Sequence, residues 1–327
     1  MHAAWYLRNG EARDVLVVGE LPTPSPAAGE VRVKLVTSGV NPSDIRFRRQ
    51  RPMTGELVVP HSDGAGVIDA VGDGVPAGRV GERVWIWNAQ WQRTMGTAAE
   101  YVAIPAERAV PLPANVDFAA GACLGIPAMT GYQAVRMAGD IAGKTVLVIG
   151  ASSSVGFYAA QVAAARGARV IGTVGSADKA RHARTGGVEA TIDYKTESVG
   201  DRIKELTAGK GADVIIDMDL STTVELLRNG GLAQHGTLVS YGSNVPGDIP
   251  FPVEALRANL YKLLFLGVFR LTPEDRRAVI DGLNEMSAAG ALTHVIGARF
   301  SLDQIVAAHE AVEHGKLIGN VIVDIAR

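Results

Sequence analysis

Short runs of β-branched residues, broken by turns, dominate the first 110 residues of the chain. The runs cover 31–37, 66–71, 83–87 and 100–104, and prolines and glycines separate them. Such runs between turn residues predict β-strands. We therefore expect a compact all-β unit that ends near Val110.

From about residue 117 the pattern changes to apolar strands that alternate with helices. The predicted strands are 145–149, 169–174, 191–193, 214–217, 237–241 and 260–268, and the predicted helices are 156–166, 177–185, 199–207 and 222–227. Parallel strands need long crossovers that are usually helical, so this alternation predicts a parallel sheet covered on both faces. The tail returns to a predicted helix at 301–313 and a strand at 320–325, which we assign to the first domain.

Composition and charge narrow the class of protein. A chain of 327 residues, 47% hydrophobic and 20% charged, predicts a globular protein of two domains. The net charge of -2 argues against nucleic acid as a partner. The single cysteine, Cys123, excludes an internal disulfide, and we expect it to be a buried small hydrophobe. The chain shows no signal peptide or membrane-spanning run, which favours a cytoplasmic protein.

The segment 146–156 predicts an apolar strand, a turn of small residues and the start of a helix. Small residues let the backbone approach a pyrophosphate, whose charge meets free N–H groups and the positive end of the helix dipole. The residues of this turn are Gly150, Ser152, Ser153, Ser154, Val155 and Gly156. Serines stand where a dinucleotide fingerprint has glycines, so a tight turn without a ligand stays open as the alternative.

The next predicted strand favours NADPH over NADH. It ends at Gly175 and Ser176 with no carboxylate at its tip, and Lys179 follows. An NAD site places an Asp or Glu there to hold the ribose hydroxyls, whereas a 2′-phosphate needs positive charge. An ordinary solvated role for Lys179, beside Asp178, remains the alternative.

Motifs along the whole chain carry a family resemblance. They lie at 38–44, 62–66, 80–84, 99–101, 129–132, 150–156, 175–179 and 192–194. Together they resemble the zinc-independent, zeta-crystallin-like quinone oxidoreductases of the medium-chain dehydrogenase/reductase superfamily. The resemblance implies an α/β protein with a discontinuous groES-like β-rich catalytic domain, residues 1–122 and 268–327. A Rossmann domain with a doubly wound parallel sheet, residues 123–267, would be inserted into it.

The resemblance also implies positions for NADPH. Lys179 and Tyr194 would flank the adenosine 2′-phosphate. The residues facing the pyrophosphate would be Ser153, Ser154 and Val155. Those along the nicotinamide end would be Thr130, Tyr241, Gly242 and Phe269, and for the two aromatic residues an ordinary core role stays open. The remaining predicted cofactor-binding residues are Asn41, Gly150, Ser152, Gly156, Gly175, Ser176, Ser243 and Asn320, the last standing where relatives often have a lysine.

Zinc-dependent relatives bind their catalytic metal through a Cys and a His, and this chain has Asn41 and Ser62 at the matching positions. Both are poor zinc ligands, so we expect no metal, with a shifted set around His61 as the alternative. Without metal, catalysis rests on positioning nicotinamide C4 and on donors to the oxygen that gains charge. Asn41 is the predicted donor. Asp44 is predicted to orient its loop, with a plain turn carboxylate as the alternative.

Two further histidines, His309 and His314, are five apart on a predicted helix and therefore do not share a face. We expect both at the surface. The Arg-rich run 46–51 stands where relatives often have a tyrosine, and it predicts either a receptor for an anionic substrate tail or a solvated basic loop.

The expected function is NADPH-dependent reduction of quinones by hydride transfer without metal. Reduction of enals or enones is the alternative within the same chemistry. An NADPH-binding structural or RNA-binding role is the alternative of another class, although the chain lacks a basic, aromatic stripe for RNA. The resemblance also implies a homodimer formed through the edge of the Rossmann sheet.

Overall fold

A computed structural model of the protein describes residues 1–245 and 247–325. The chain divides into two compact units. The first contains Met1–Pro127 and the chain from Ile280 onward, and the second contains Ala128–Val279. The domain limits predicted from the sequence, at 122/123 and 267/268, stay a prediction.

The first unit is built on a seven-stranded, mostly antiparallel sheet. Its strands are β3 (Glu30–Val40), β4 (Asp63–Val71), β5 (Arg83–Ile86), β6 (Tyr101–Pro105), β7 (Ala109–Pro111), β14 (Ile296–Ser301) and β15 (Asn320–Asp324). Their order is β14-β15-β3-β4-β5-β7, with β6 also paired to β3. A separate antiparallel pair is formed by β1 (His2–Trp5) and β2 (Val17–Glu20).

Alternation of buried and exposed positions explains how β3 carries this core. Val31, Val33 and Leu35 are buried at every second position, as a strand with one buried face requires. The tail closes the sheet, because β15 pairs antiparallel with β3 from Val321↔Val40 to Asp324↔Thr37. The expectation that the tail belongs with the first β-rich unit is therefore confirmed.

The helices of the first unit are α1 (Ala12–Val15), α2 (Pro42–Gln50), α3 (Phe118–Gly121) and α11 (Ile305–His314). The segment of α2 was expected to be a loop, and this expectation is wrong. Asn41 caps the helix in a reciprocal capping box with Asp44, and Pro42 occupies the first turn. The helix expected over 301–313 begins later, because β14 extends to Ser301.

The second unit contains a six-stranded parallel sheet. Its strands are β8 (Thr145–Val148), β9 (Arg169–Val174), β10 (Ala190–Asp193), β11 (Ala212–Asp217), β12 (Leu232–Ser240) and β13 (Lys262–Phe265). The order β10-β9-β8-β11-β12-β13 is the doubly wound order of a Rossmann sheet.

Helices connect these strands. They are α4 (Met129–Met137), α5 (Ser154–Ala165), α6 (Ala177–Thr185), α7 (Val199–Leu206), α8 (Leu220–Arg228), α9 (Val253–Asn259) and α10 (Pro273–Ala288). The hydrophobic pattern did not predict α10, within which the chain returns to the first unit. Within the described ranges no helix is both long and apolar enough to cross a membrane.

Candidate functional site

The turn after β8 has the geometry that its small residues predict. Gly150 has a left-handed backbone, with φ of 68°. A Cβ added at Gly156 would lie 2.2 Å from the carbonyl oxygen of Gly150, so this position has no room for a side chain. Ser153 caps α5, because its Oγ accepts a hydrogen bond from the Gly156 N–H at 3.1 Å. Ser152, Ser154 and Val155 complete a helix start at the carboxyl end of the sheet.

The end of β9 brings together the residues predicted for the 2′-phosphate. Ser176 caps α6 by accepting from the Lys179 N–H at 3.3 Å. Asp178 pairs with Arg181, and no side-chain partner is found for the Lys179 ammonium within the described residues. The Tyr194 ring lies against Gly175, where an added Cβ would be 2.7 Å from the phenol oxygen. Tyr194 is 53% exposed, so about half of its surface is accessible.

Two carboxylates that the sequence did not single out fix the loops after β11 and β12. Asp217 is fully buried and accepts from Thr223 Oγ1 at 2.6 Å and Ser240 Oγ at 2.7 Å. Asp219 accepts from both the backbone and side-chain amides of Asn244 at 2.9 Å. These bonds hold the loop that carries the predicted nicotinamide contacts.

Three residues of that loop were predicted to bind the cofactor. A Cβ at Gly242 would lie 2.6 Å from the Met218 carbonyl oxygen, so a glycine is required there. The Ser243 hydroxyl donates to the Val245 carbonyl at 2.8 Å. The Tyr241 hydroxyl is buried near Ser153, and burial raises its pKa, with the nearby Asp217 adding to the shift.

The other predicted cofactor residues lie apart along the chain. Thr130 is buried in α4, and Phe269 is half-buried in a short 3-10 turn, Val268–Arg270. Asn320 belongs to the first unit, where its Nδ2 donates to the Val295 carbonyl at 3.1 Å.

In the first unit, Asn41 and Asp44 form the first turn of α2. The Asn41 backbone N–H donates to Asp44 Oδ2 at 2.8 Å. Asp44 is 2% exposed and has no ion-pair partner in the described residues, and burial raises the pKa of its carboxyl to about 7.

A second buried carboxyl, Asp63, holds the side chain of Asn41. Asn41 Nδ2 donates to Asp63 Oδ2 at 2.7 Å, and the Ile126 N–H donates to the same oxygen at 2.8 Å. Asp63 is fully buried, and this burial, together with the nearby Asp44, raises its pKa well above the ordinary value. The sequence reasoning missed this role, because 22 residues separate the two partners and no local pattern joins them.

These features agree with comparisons to known proteins. Residues 27–114 match the family model described as alcohol dehydrogenase GroES-like domain, and residues 154–285 match that of zinc-binding dehydrogenase. The chain is 31% identical to human quinone oxidoreductase over 303 residues, covering 90% of this chain and 89% of that protein.

Solved structures show the same fold. An NAD-dependent alcohol dehydrogenase superposes with a TM-score of 0.90 at 27% identity and covers all of both chains. Escherichia coli quinone oxidoreductase complexed with NADPH has a TM-score of 0.88 at 26% identity, covering 99% of this chain and 100% of that one. The chain belongs to the quinone oxidoreductases of the medium-chain dehydrogenase/reductase superfamily. The predicted family, its GroES-like and Rossmann folds and its oxidoreductase class are confirmed.

His61 and Ser62, the residues before Asp63 in the chain, are buried beside it. The Asn41 amide is engaged with Asp63, and the buried Ser62 hydroxyl has no hydrogen-bond partner in the described chain. His61 uses both ring nitrogens in hydrogen bonds, to Ser38 Oγ at 2.8 Å and to His309 Nε2 at 2.9 Å. Among residues 1–245 and 247–325, no group of three metal-ligating side chains comes together.

The contact between His61 and His309 corrects the expectation that His309 lies at the surface. His309 is fully buried, because its face of α11 packs on the core beside Ile305 and Ala308. Burial lowers the pKa of His61 to about 3 and that of His309 well below its ordinary value. Both rings are therefore neutral near pH 7. His314 is exposed, as expected.

The Arg-rich run of this quinone oxidoreductase family member is largely paired within the protein. Arg48 is fully buried against Glu313, and Arg49 bonds Glu313 at 2.9 Å. Arg51 stacks on the Trp91 ring with 4.1 Å to its centroid. The expectation of a solvated basic loop is wrong, because these guanidinium groups join α2 to its neighbours.

Proposed function

We propose that this protein is an NADPH-dependent reductase of quinones that transfers hydride without a metal ion. The observation that carries the proposal is the Asn41 amide, whose Nδ2 is held by the buried Asp63 carboxyl at 2.7 Å. An amide fixed in this way offers a hydrogen-bond donor where the zinc-dependent members have a metal ligand, and zinc prefers thiolate and imidazole. The relationship to quinone oxidoreductases supports the choice of substrate.

The geometry of the second unit supports NADPH as the cofactor. Asp178 is neutralised by Arg181, which leaves the Lys179 ammonium available to a 2′-phosphate beside the Tyr194 ring. The start of α5 offers backbone N–H groups to the pyrophosphate. The Escherichia coli relative, whose solved structure is a complex with NADPH, supports the same choice.

When bound, NADPH would supply a hydride, with its electron pair, to the quinone; one quinone oxygen then gains negative charge and takes a proton from solvent, which gives the hydroquinone and NADP⁺. In the proposed reaction the second N–H of Asn41 Nδ2 donates to that oxygen. Asp44 fixes the backbone of Asn41 through the 2.8 Å bond to its N–H, so that the amide does not move during the reaction. A preorganised donor of this kind typically contributes about 10²- to 10³-fold in rate.

The function is tested by following NADPH and NADH oxidation with 1,4-benzoquinone, 9,10-phenanthrenequinone and 1-octen-3-one. We expect quinone turnover with NADPH, and the same rate after extensive treatment with a chelator and removal of bound metal. Turnover of the enone alone would replace the quinone proposal by enone reduction. Retention of RNA with no turnover of any acceptor would contradict an enzymatic function, and loss of rate on chelation would contradict metal independence.

We also propose that the protein is a homodimer formed through β13, the edge strand of the Rossmann sheet. Phe265 on this strand is 60% exposed, and the neighbouring Leu260 and Val253 are 56% and 68% exposed. A sheet edge that exposes apolar side chains invites pairing with another chain. Light scattering should give twice the mass of one chain, and a monomer at micromolar concentration would contradict the proposal.

A further inference from the structure

Asp63 is a fully buried acidic residue whose backbone is fixed on two sides. It begins β4, where it pairs with Gly39 of β3. The Thr97 hydroxyl donates to its carbonyl oxygen at 2.5 Å, and the Ser38 hydroxyl lies 2.7 Å from that of Thr97. The carboxyl group is therefore attached to a part of the sheet that does not move easily.

The carboxyl group itself has little freedom to rotate. A Cβ added at Gly125 would lie 2.1 Å from Asp63 Oδ1, so the Gly125 backbone packs directly against this oxygen. Gly125 breaks the helical run Leu124–Ala128 with φ of -65° and ψ of -109°. This break aims the Ile126 N–H at Asp63 Oδ2. Only a residue without a side chain allows the backbone to come so close.

The two hydrogen bonds on Oδ2 decide which end of the Asn41 amide faces Asp63. An asparagine amide has nearly the same shape after a half-turn that exchanges its oxygen and its nitrogen. The Asn41 side-chain oxygen accepts from the Asp44 backbone in the capping box and Asp63 Oδ2 accepts the Ile126 N–H, so the exchanged amide would lose the first bond and place an oxygen against Oδ2. With Nδ2 bonded to Asp63 at 2.7 Å and the Asn41 side chain also interacting with the Asp44 carboxyl, the group that Asn41 can offer to a ligand is its second N–H rather than its carbonyl.

We propose that Asp63 is a positioning residue that makes Asn41 a hydrogen-bond donor to the substrate oxygen. Asp63 touches Asn41 and not the reacting atoms, so its effect on the rate passes through the Asn41 amide. The inference rests on the proposed function for its kinetic consequence, but the orientation of the amide can be measured without turnover.

The kinetic test compares two substitutions of similar size. In Asp63→Asn the new side chain can still accept from Asn41 Nδ2 and the Ile126 N–H, whereas in Asp63→Leu it cannot. We expect Asp63→Leu to lower kcat for the quinone about 30-fold with KM for NADPH changed less than twofold, and Asp63→Asn to retain at least a third of kcat. In an Asn41→Ala background, Asp63→Leu should cost less than a further twofold.

An equal loss from Asp63→Leu with and without Asn41 would overturn the proposal, because a merely structural role does not depend on that amide. The proposal would also be overturned if Asp63→Asn lowered kcat as much as Asp63→Leu does. Thermal unfolding of each variant identifies a loss that comes from misfolding.

The second measurement uses protein labelled with [¹⁵N]asparagine and reads the side-chain NH₂ signals. The Asn41 pair is identified by its absence in Asn41→Ala. We expect one of its two protons to be shifted downfield in the unsubstituted protein and to move upfield in Asp63→Asn. This measurement requires neither turnover nor the Asp63→Leu protein. Two ordinary, unshifted Asn41 protons would overturn the inference even if quinones are reduced. Absence of quinone turnover with a shifted proton would overturn the proposed function alone.

Discussion

The two polar regions of this molecule are built in opposite ways. The turn from Gly150 to Gly156 consists of neighbours in the chain and leads into the N-terminus of α5, the positive end of the helix dipole. The network around Asn41 joins residues as far apart as His61 and His309, 248 positions along the chain, and side chains of the protein hydrogen-bond to one another within it. A turn that binds a nucleotide can be built from neighbouring residues, because the ligand supplies the remaining hydrogen-bond partners. A catalytic donor, in contrast, must be held in place by other side chains of the protein.

The largest expected effect concerns the local turn. Gly156→Ala places a methyl group 2.2 Å from the Gly150 carbonyl oxygen, so the turn must open. We expect NADPH affinity, measured by fluorescence titration, to fall more than about 100-fold, with a loss of about 1–3 kcal/mol in stability. Gly78→Ala, whose added Cβ meets open space in the first unit, serves as the matched control. Undiminished NADPH binding by Gly156→Ala would show that the turn does not hold the pyrophosphate.

A smaller effect distinguishes the two nicotinamide cofactors. Lys179→Ala should weaken NADPH binding about 10- to 100-fold, because a hydrogen bond to a charged group contributes about 1.5–3 kcal/mol. NADH binding should change less than about threefold, since NADH has no 2′-phosphate. Lys144→Ala, which removes an exposed lysine just before β8, should leave both affinities unchanged. An equal loss for the two cofactors would remove the 2′-phosphate role.

The smallest effect concerns the pH dependence of stability, in which the buried histidine and the buried acid of the Asn41 network act in opposite directions. The pKa of His61 is lowered to about 3, so the unfolded chain takes up a proton below about pH 6.5 that the folded chain refuses, and stability falls. The pKa of Asp44 is raised to about 7, so its contribution is full at low pH and is lost as pH rises through 7. The two contributions oppose each other between pH 5 and pH 7.

Denaturant unfolding at pH 5 and pH 7 checks this balance. Relative to the unsubstituted protein, His61→Asn should gain about 1–2 kcal/mol on going from pH 7 to pH 5, and Asp44→Asn should lose a similar amount. Asparagine suits the left-handed backbone at His61, where φ is 78°. Substitution of the exposed His314 by Asn is the control and should not change the pH dependence. If the free energy of unfolding changed equally with pH in all variants, the pKa shifts of both His61 and Asp44 would be contradicted.

The local region was largely predictable from the sequence and the network was not. Alternating strands and helices predicted the Rossmann sheet, and small residues predicted the Gly150 turn, because both depend on neighbours in the chain. The burial of His309 and the role of Asp63 depend on which strands and helices pack together, and periodicity does not report this. The α2 segment was missed for another reason. Its arginines suggested a solvated loop, whereas Glu11 and Glu313, from distant parts of the chain, pair with them.

The strand β15 has a consequence for synthesis on the ribosome. Val321 pairs with Val40, so the inner strand β3 lacks one neighbour until about 280 further residues have been made. At roughly 5–20 residues per second this wait lasts on the order of 15–60 seconds, during which the Rossmann sheet can already fold. The nascent chain thus carries an open strand edge through most of its translation, and truncation before residue 320 should produce an aggregating product rather than a smaller enzyme.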